Sequence, residues 1–121
     1  MERIRFVTHR GQRILLVDYT NCTADEVAEI ADQAPPIITR EPAGSLLLLA
    51  DFTGAQVNRE TAEHIKVAAA IDKAHVKRDA CVLDSGLPRA LYDSVRSFST
   101  RELPIFHTRE AALDYLANNS S

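Results

Sequence analysis

Near the amino terminus Ile4, Phe6 and Thr8 alternate with neighbours that include Arg3 and Arg5. This period of two marks a strand with one covered face. His9-Arg10-Gly11-Gln12 supplies a tight turn in which Gly11 can take a positive φ. From Arg13 to Tyr19 the alternation gives way to a continuous apolar run that ends at Asp18. The two patterns together predict an antiparallel hairpin, with the first strand at a sheet edge and the second buried.

Thr23-Ala24-Asp25-Glu26 has the spacing of a capping box, and the helix that follows carries a short apolar stripe through Val27 and Ile30. Pro35-Pro36 predicts a break or kink, with a second helical segment running on to Glu41. Pro42-Ala43-Gly44 is the stop. Leu46–Ala50 reads as a buried parallel strand, and Asn58 as the cap of a long helix reaching about Val76. Lys77-Arg78-Asp79 predicts a turn into a second buried strand, 80–84. Pro88 suits the first turn of a further helix, in which Leu87, Leu91, Val95 and Phe98 share one face. Residues 103–107 form a short last strand, and Thr108 caps a closing helix with Ala111, Ala112, Tyr115 and Leu116 inward.

Strands that alternate with helices require crossovers. The expected fold is α/β: a mixed sheet of about five strands, an antiparallel first hairpin, then β-α crossovers with helices packed on the sheet. Residues 1–117 form one domain, with 118–121 as a frayed tail.

Composition narrows the function. At 45% hydrophobic and 26% charged the chain can bury an ordinary core. A net charge of −3 gives no electrostatic footprint for nucleic acid. The longest apolar run, Leu46–Ala50, is far short of the roughly 18 residues of a membrane helix, so no stable membrane insertion is expected. With no apolar leader at the start, the expected location is cytoplasmic. Cys22 and Cys81 have no metal-site spacing; Cys22 reads as a loop thiol, Cys81 as a buried strand residue, and no disulfide is expected.

Two segments, PAGSLLLLADFTGA before the long helix and LPIFHTREAALDYLA at the end, resemble the STAS/SpoIIAA-like family of small bacterial domains. The ending is the more distinctive: a short strand, a phenylalanine, a cap and a helix with Ala-x-x-aromatic-Leu. The resemblance covers almost the whole chain and points to a small stand-alone branch that is also grouped with lipid-binding domains. It implies a non-enzymatic regulatory or binding module. In antagonist members of the family a serine in an Asp-Ser-Ser-Gly segment is phosphorylated. Here that place reads Asp51-Phe52-Thr53-Gly54, which puts Thr53 at the acceptor position and replaces the first serine by Phe52.

On their own chemistry, Asp51, Thr53, Gly54 and Asn58 stand where ligands of parallel sheets bind, beyond the strand ends and beside a helix start. They read as a phosphoacceptor, as a partner or ligand rim over residues 51–58, or as turn residues bonding the backbone. Asp18, Asp51 and Asp84 each end an apolar strand, an arrangement that can hold Mg²⁺, although no lysine follows the last strand as receiver domains require. No cofactor and no metal is expected. Ser85, Gly86 and Arg89 form a second anion-site candidate at a helix start, against the simpler reading of a helical first turn. His9, His64, His75 and His107 have no ligand spacing.

The long helix carries two apolar stripes, Ala62-Ile65-Ala69 and Val67-Ala70-Ile71-Ala74. One stripe is enough to cover a sheet. The second either packs within the fold or meets another chain, and the dimer reading places Val67, Ala70 and Ile71 at a homodimer interface. The expected partner is an unidentified protein or small ligand. The alternative to a regulatory module is a small-molecule or lipid-binding domain with an apolar pocket between helices and sheet.

Overall fold

The computed structural model describes residues 2–83 and 104–118. The order is β1 (Ile4–His9), β2 (Gln12–Asp18), α1 (Ala24–Ile38), β3 (Leu46–Asp51), α2 (Arg59–Asp72), a 3₁₀ turn (Lys73–His75), β4 (Val76–Val82), β5 (Ile105–Phe106) and α3 (Arg109–Asn118). Asp84, Ser85, Gly86, Arg89 and the helix expected after Pro88 lie outside the described residues, as do residues 119–121 of the expected tail. Asn118 is helical.

The five strands form one sheet in the order β1-β2-β3-β4-β5. β1 and β2 are antiparallel, and every later pair is parallel. This is the mixed α/β architecture that the alternation of elements requires. The hairpin closes on Arg10 and Gly11, both at positive φ (52° and 78°), the type I′ geometry that matches strand twist. α1 and α2 join neighbouring strands in the same direction across the sheet, so both fall on one face. Val27, Ile30 and Ala31 of α1 and Ile65 of α2 pack there on Val17, Phe52 and Cys81. α3 covers the other face, where Ala112 and Leu116 meet Ile14, Leu16, Leu47, Leu49 and Val82. Strand side chains alternate, so successive leucines of β3 serve opposite cores. That is why Leu46, Leu47 and Leu49 are all buried.

Several boundaries differ from the sequence reading, and β5 is shorter than the strand expected over 103–107. α1 runs unbroken to Ile38 with Pro35 and Pro36 inside it. The prolines remove only the N–H groups that would have bonded Ala31 and Asp32 near the end of the helix, while the apolar stripe continues through Ala34 to Ile38. Thr39 N–H then caps the Pro35 carbonyl at 2.9 Å. α2 stops at Asp72 rather than near Val76. Lys77, Arg78 and Asp79 belong to β4 instead of a turn, because Val76 already pairs with Leu46. In α2 the buried stripe is Thr61, Ala62, Ile65, Ala68 and Asp72. Ala69 lies beside that stripe, and Asp72 is buried within it.

Candidate functional site

The two central strands β2 and β3 end alike. Asp18-Tyr19-Thr20 and Asp51-Phe52-Thr53 repeat an Asp-aromatic-Thr pattern, and Asp18 is the register partner of Asp51. In each copy one carboxylate oxygen accepts twice from the threonine two residues on. Asp18 Oδ1 takes Thr20 N–H at 3.0 Å and its hydroxyl at 2.6 Å. Asp51 Oδ1 takes Thr53 N–H at 3.0 Å and its hydroxyl at 2.7 Å. This is the side-chain turn that aspartate forms readily at the end of a strand.

Alternation sends the aspartates toward α3 and the aromatic rings toward α1 and α2. Tyr19 and Phe52 stack with centroids 4.5 Å apart and planes 5° apart. The backbone ties the turns together: Tyr19 N–H donates to Asp51 O and Asn21 N–H to Thr53 O, both at 2.9 Å. Gly54 follows at φ 71°, and a Cβ there would collide with Asn21 Oδ1. The glycine is therefore required twice, for its backbone angle and for the approach of Asn21.

Arg109, the first residue of α3, closes the pair of carboxylates. Its Nε donates to Asp51 Oδ2 at 2.8 Å, and its Nη2 lies 3.3 Å from Asp18 Oδ1. Arg5 Nη1 donates to Asp18 Oδ2 at 3.3 Å, and Arg3 Nη1 lies 3.5 Å from Asp18 Oδ1. Burial works to raise the pKa of Asp18, but the Thr20 bonds and the charge of Arg109 overcome it and hold the carboxyl below its ordinary value. Burial alone would also favour the neutral form of Arg109. Its bond to Asp51 and the two carboxylate charges outweigh this and hold the guanidinium more firmly protonated.

The donors around these acids are guanidinium, amide and hydroxyl groups, which suit an ion-paired cluster and not a cation site. No group of three or more metal-ligating side chains occurs among the described residues. Thr53 and Gly54 are exposed on the rim. Asn58 is the cap of α2, its Oδ1 accepting from Thr61 N–H and Thr61 hydroxyl at 2.8 Å each. The histidines lie apart: His9 bonds Asp114, His64 bonds Asp32, and His75 bonds the Glu41 carbonyl. His107 is exposed after β5. Both cysteines are buried thiols without a disulfide.

Arg109 was missing from the expected site, as was Thr20. A second feature is an open groove of about 480 Å³ between β1 and α1, with Ile4, Ile30 and Ile37 in its lining. On α2, Val67, Ala70 and Ile71 are exposed, as an outward second stripe requires. No described helix is long and apolar enough to cross a membrane. Set against family models, curated proteins and solved structures, the chain matches none.

Proposed function

We propose that this chain is a non-enzymatic regulatory module of the STAS type, working in the cytoplasm, whose partner surface is the rim over residues 51–58 and whose switch is phosphate on Thr53. The observation that carries the reading is the shared carboxylate of Asp51. One oxygen holds the hydroxyl of exposed Thr53, and the other holds Arg109. A phosphate on Thr53 adds about −1.5 to −2 charges and three acceptor oxygens. It would break the hydroxyl bond, repel Asp51 and compete with it for Arg109. A change at one exposed side chain would thereby loosen the contact between the rim and α3.

The two rim carboxylates support binding over catalysis. Both are engaged by backbone, hydroxyl and guanidinium donors, which leaves neither as a ready general base. Exposed Gln56 gives a position for a photo-cross-linker. Introduced there in the native cells, it should capture a partner with wild-type protein and with Thr53→Ala, and lose it with Thr53→Glu. Capture of the same partner by Thr53→Glu, or by protein carrying the cross-linker at a distant surface position, would refute the rim as a regulated surface.

A further inference from the structure

The groove beside α1 shares Arg3 with the surroundings of Asp18 but is lined by other elements, and one of its walls is a sheet edge. β1 pairs only with β2 among the described residues. Asp18 N–H donates to Arg3 O at 2.7 Å, and antiparallel bonds alternate along a strand. Arg3, Arg5, Val7 and His9 therefore turn their backbone groups toward β2. Ile4, Phe6 and Thr8 turn theirs outward, where the sheet supplies no partner. The same alternation points the Ile4 side chain at the α1 face, where it packs with the α1 core.

The facing wall is one stripe of α1. Glu26, Glu29, Ile30, Gln33 and Ile37 recur at helical spacing and line the groove with Glu2, Arg3 and Ile4. The floor is apolar and the rim acidic. Arg3, the cation in the lining, is engaged elsewhere, with the Thr20 carbonyl and Asp18. Glu29 is exposed and enters no ion pair among the described residues.

We propose that the outer edge of β1 binds an extended, basic peptide that adds as a sixth strand. On the face turned to α1 its apolar side chains sit in the groove on Ile4, Ile30 and Ile37 and its lysine or arginine side chains meet Glu26 and Glu29, while the intervening side chains point to the other face. Main-chain bonds to Ile4, Phe6 and Thr8 supply affinity, and the groove selects side chains. A small organic cation would use the acids but leave the strand edge unused, which is why the edge and the groove together point to a peptide.

The test uses the full chain and three synthetic octapeptides, followed by amide-resolved NMR titration. They are two repeats of Val-Thr-Lys-Thr, which turns valine and lysine to one face, the same peptide methylated at alternate backbone nitrogens, and two repeats of Val-Thr-Glu-Thr. The lysine peptide should shift the amides of Ile4, Phe6 and Thr8 together with those of α1. Methylation, which removes the main-chain donors, should weaken binding at least about tenfold. Glu29→Lys should weaken the lysine peptide and strengthen the glutamate peptide. Phe6→Pro removes one outward N–H and spares the ladder to β2, a substitution an edge strand tolerates; it too should weaken binding. Equal binding of the methylated peptide, or shifts confined to other surfaces, would overturn the proposal. So would a dimer in sedimentation that Phe6→Pro dissociates, because the edge would then belong to a second copy of the chain.

Discussion

Asp18 and Asp51 stand side by side at the ends of two parallel strands, and one guanidinium, that of Arg109, reaches both. Two carboxylates at neighbouring register positions, each about 95% or more buried, repel each other unless a cation is fixed between them. The chain supplies that cation from its far end, 91 and 58 positions along. The clasp thus joins α3 to the carboxyl edge of the sheet, and it decides how firmly the rim is held.

Removing the clasp should cost stability. Arg109→Ala leaves two buried acids with fewer partners, and breaking such a pair usually costs about 3–5 kcal/mol. The Arg109 side chain is one-third exposed, so water takes over part of its role and about 2 kcal/mol is expected. Urea unfolding measures this. Arg109→Lys should recover less than half, since a single ammonium cannot span two carboxylates with separate donors. A lysine variant as stable as wild type would show that charge alone matters and that the two-armed geometry does not.

Asp72 gives a pH signature of opposite sign to Asp18. It is buried on α2, and its Oδ1 has no hydrogen-bond partner among the described residues. Burial pushes its carboxyl up to about 7, with His75 opposing. A carboxyl raised in the folded state binds its proton more tightly than the unfolded chain does. Its contribution is fully present below the ordinary value of 3.8 and is lost as pH rises through about 7. The shift alone corresponds to about 4 kcal/mol, and screening by solvent brings the expected loss to about 2–3 kcal/mol. Asp18, lowered in the folded state, contributes above 3.8 and is lost as pH falls through its depressed value. Stability should therefore peak between these limits. Asp72→Asn should flatten the neutral side of the profile and leave the acid side in place, as read by thermal unfolding from pH 3 to pH 9.

The rim glycine should resist substitution for two separable reasons. Gly54→Ala meets an unfavourable positive φ and the Asn21 side chain, and it should cost about 1–2 kcal/mol. Asn21, itself at φ 57°, can become glycine without backbone strain. Asn21→Gly removes the colliding atom, so in the double variant the cost of Gly54→Ala should shrink to its backbone part. Strict additivity of the two changes in denaturant unfolding would mean that the residues do not meet.

Assembly through α2 is a separate expectation. Val67 and Ile71 are 60% and 48% exposed, with Ala70 between them. We propose a two-fold dimer through this stripe, which needs at least about 1,000 Å² of buried surface in total. Sedimentation at micromolar concentration should show a dimer, and Ala70→Glu should dissociate it. A clean monomer would sink the dimer, while a dimer indifferent to Ala70→Glu would move the interface elsewhere.

The fold was legible because β-strand and helix signals agreed locally. The hairpin turn at Arg10-Gly11, the Thr23–Glu26 box and the Asn58 cap are all present as read. The errors came where tertiary context overrode a local rule. Pro35 and Pro36 sit near the end of a helix whose apolar stripe continues to Ile38. Lys77 to Asp79 look like a turn by composition, but Arg78 and Asp79 pair with Leu47 and Leu48, and Lys77 falls at the register shift that follows the Leu46–Val76 pair. At the rim, Asp51 and Thr53 were legible because strand end and helix start enclose them. Their partner Arg109 was not, since nothing local to HTREAAL shows which carboxylates a helix on the opposite face will reach. The repeat of Asp-aromatic-Thr at 18–20 and 51–53 was the available signal. Aligning the two strand ends exposes it, and parallel pairing then brings the copies together.

The central claim is that Thr53 is a regulated acceptor. Intact-mass and peptide mass spectrometry of the protein isolated from its native cells tests it most directly. A fraction of the molecules should be heavier by one phosphate, with the fragment ions placing it on Thr53 and not on Thr20, whose hydroxyl is half-buried between Arg3 and Asp18. Complete coverage of residues 46–60 with no phosphate under any growth condition would contradict the account.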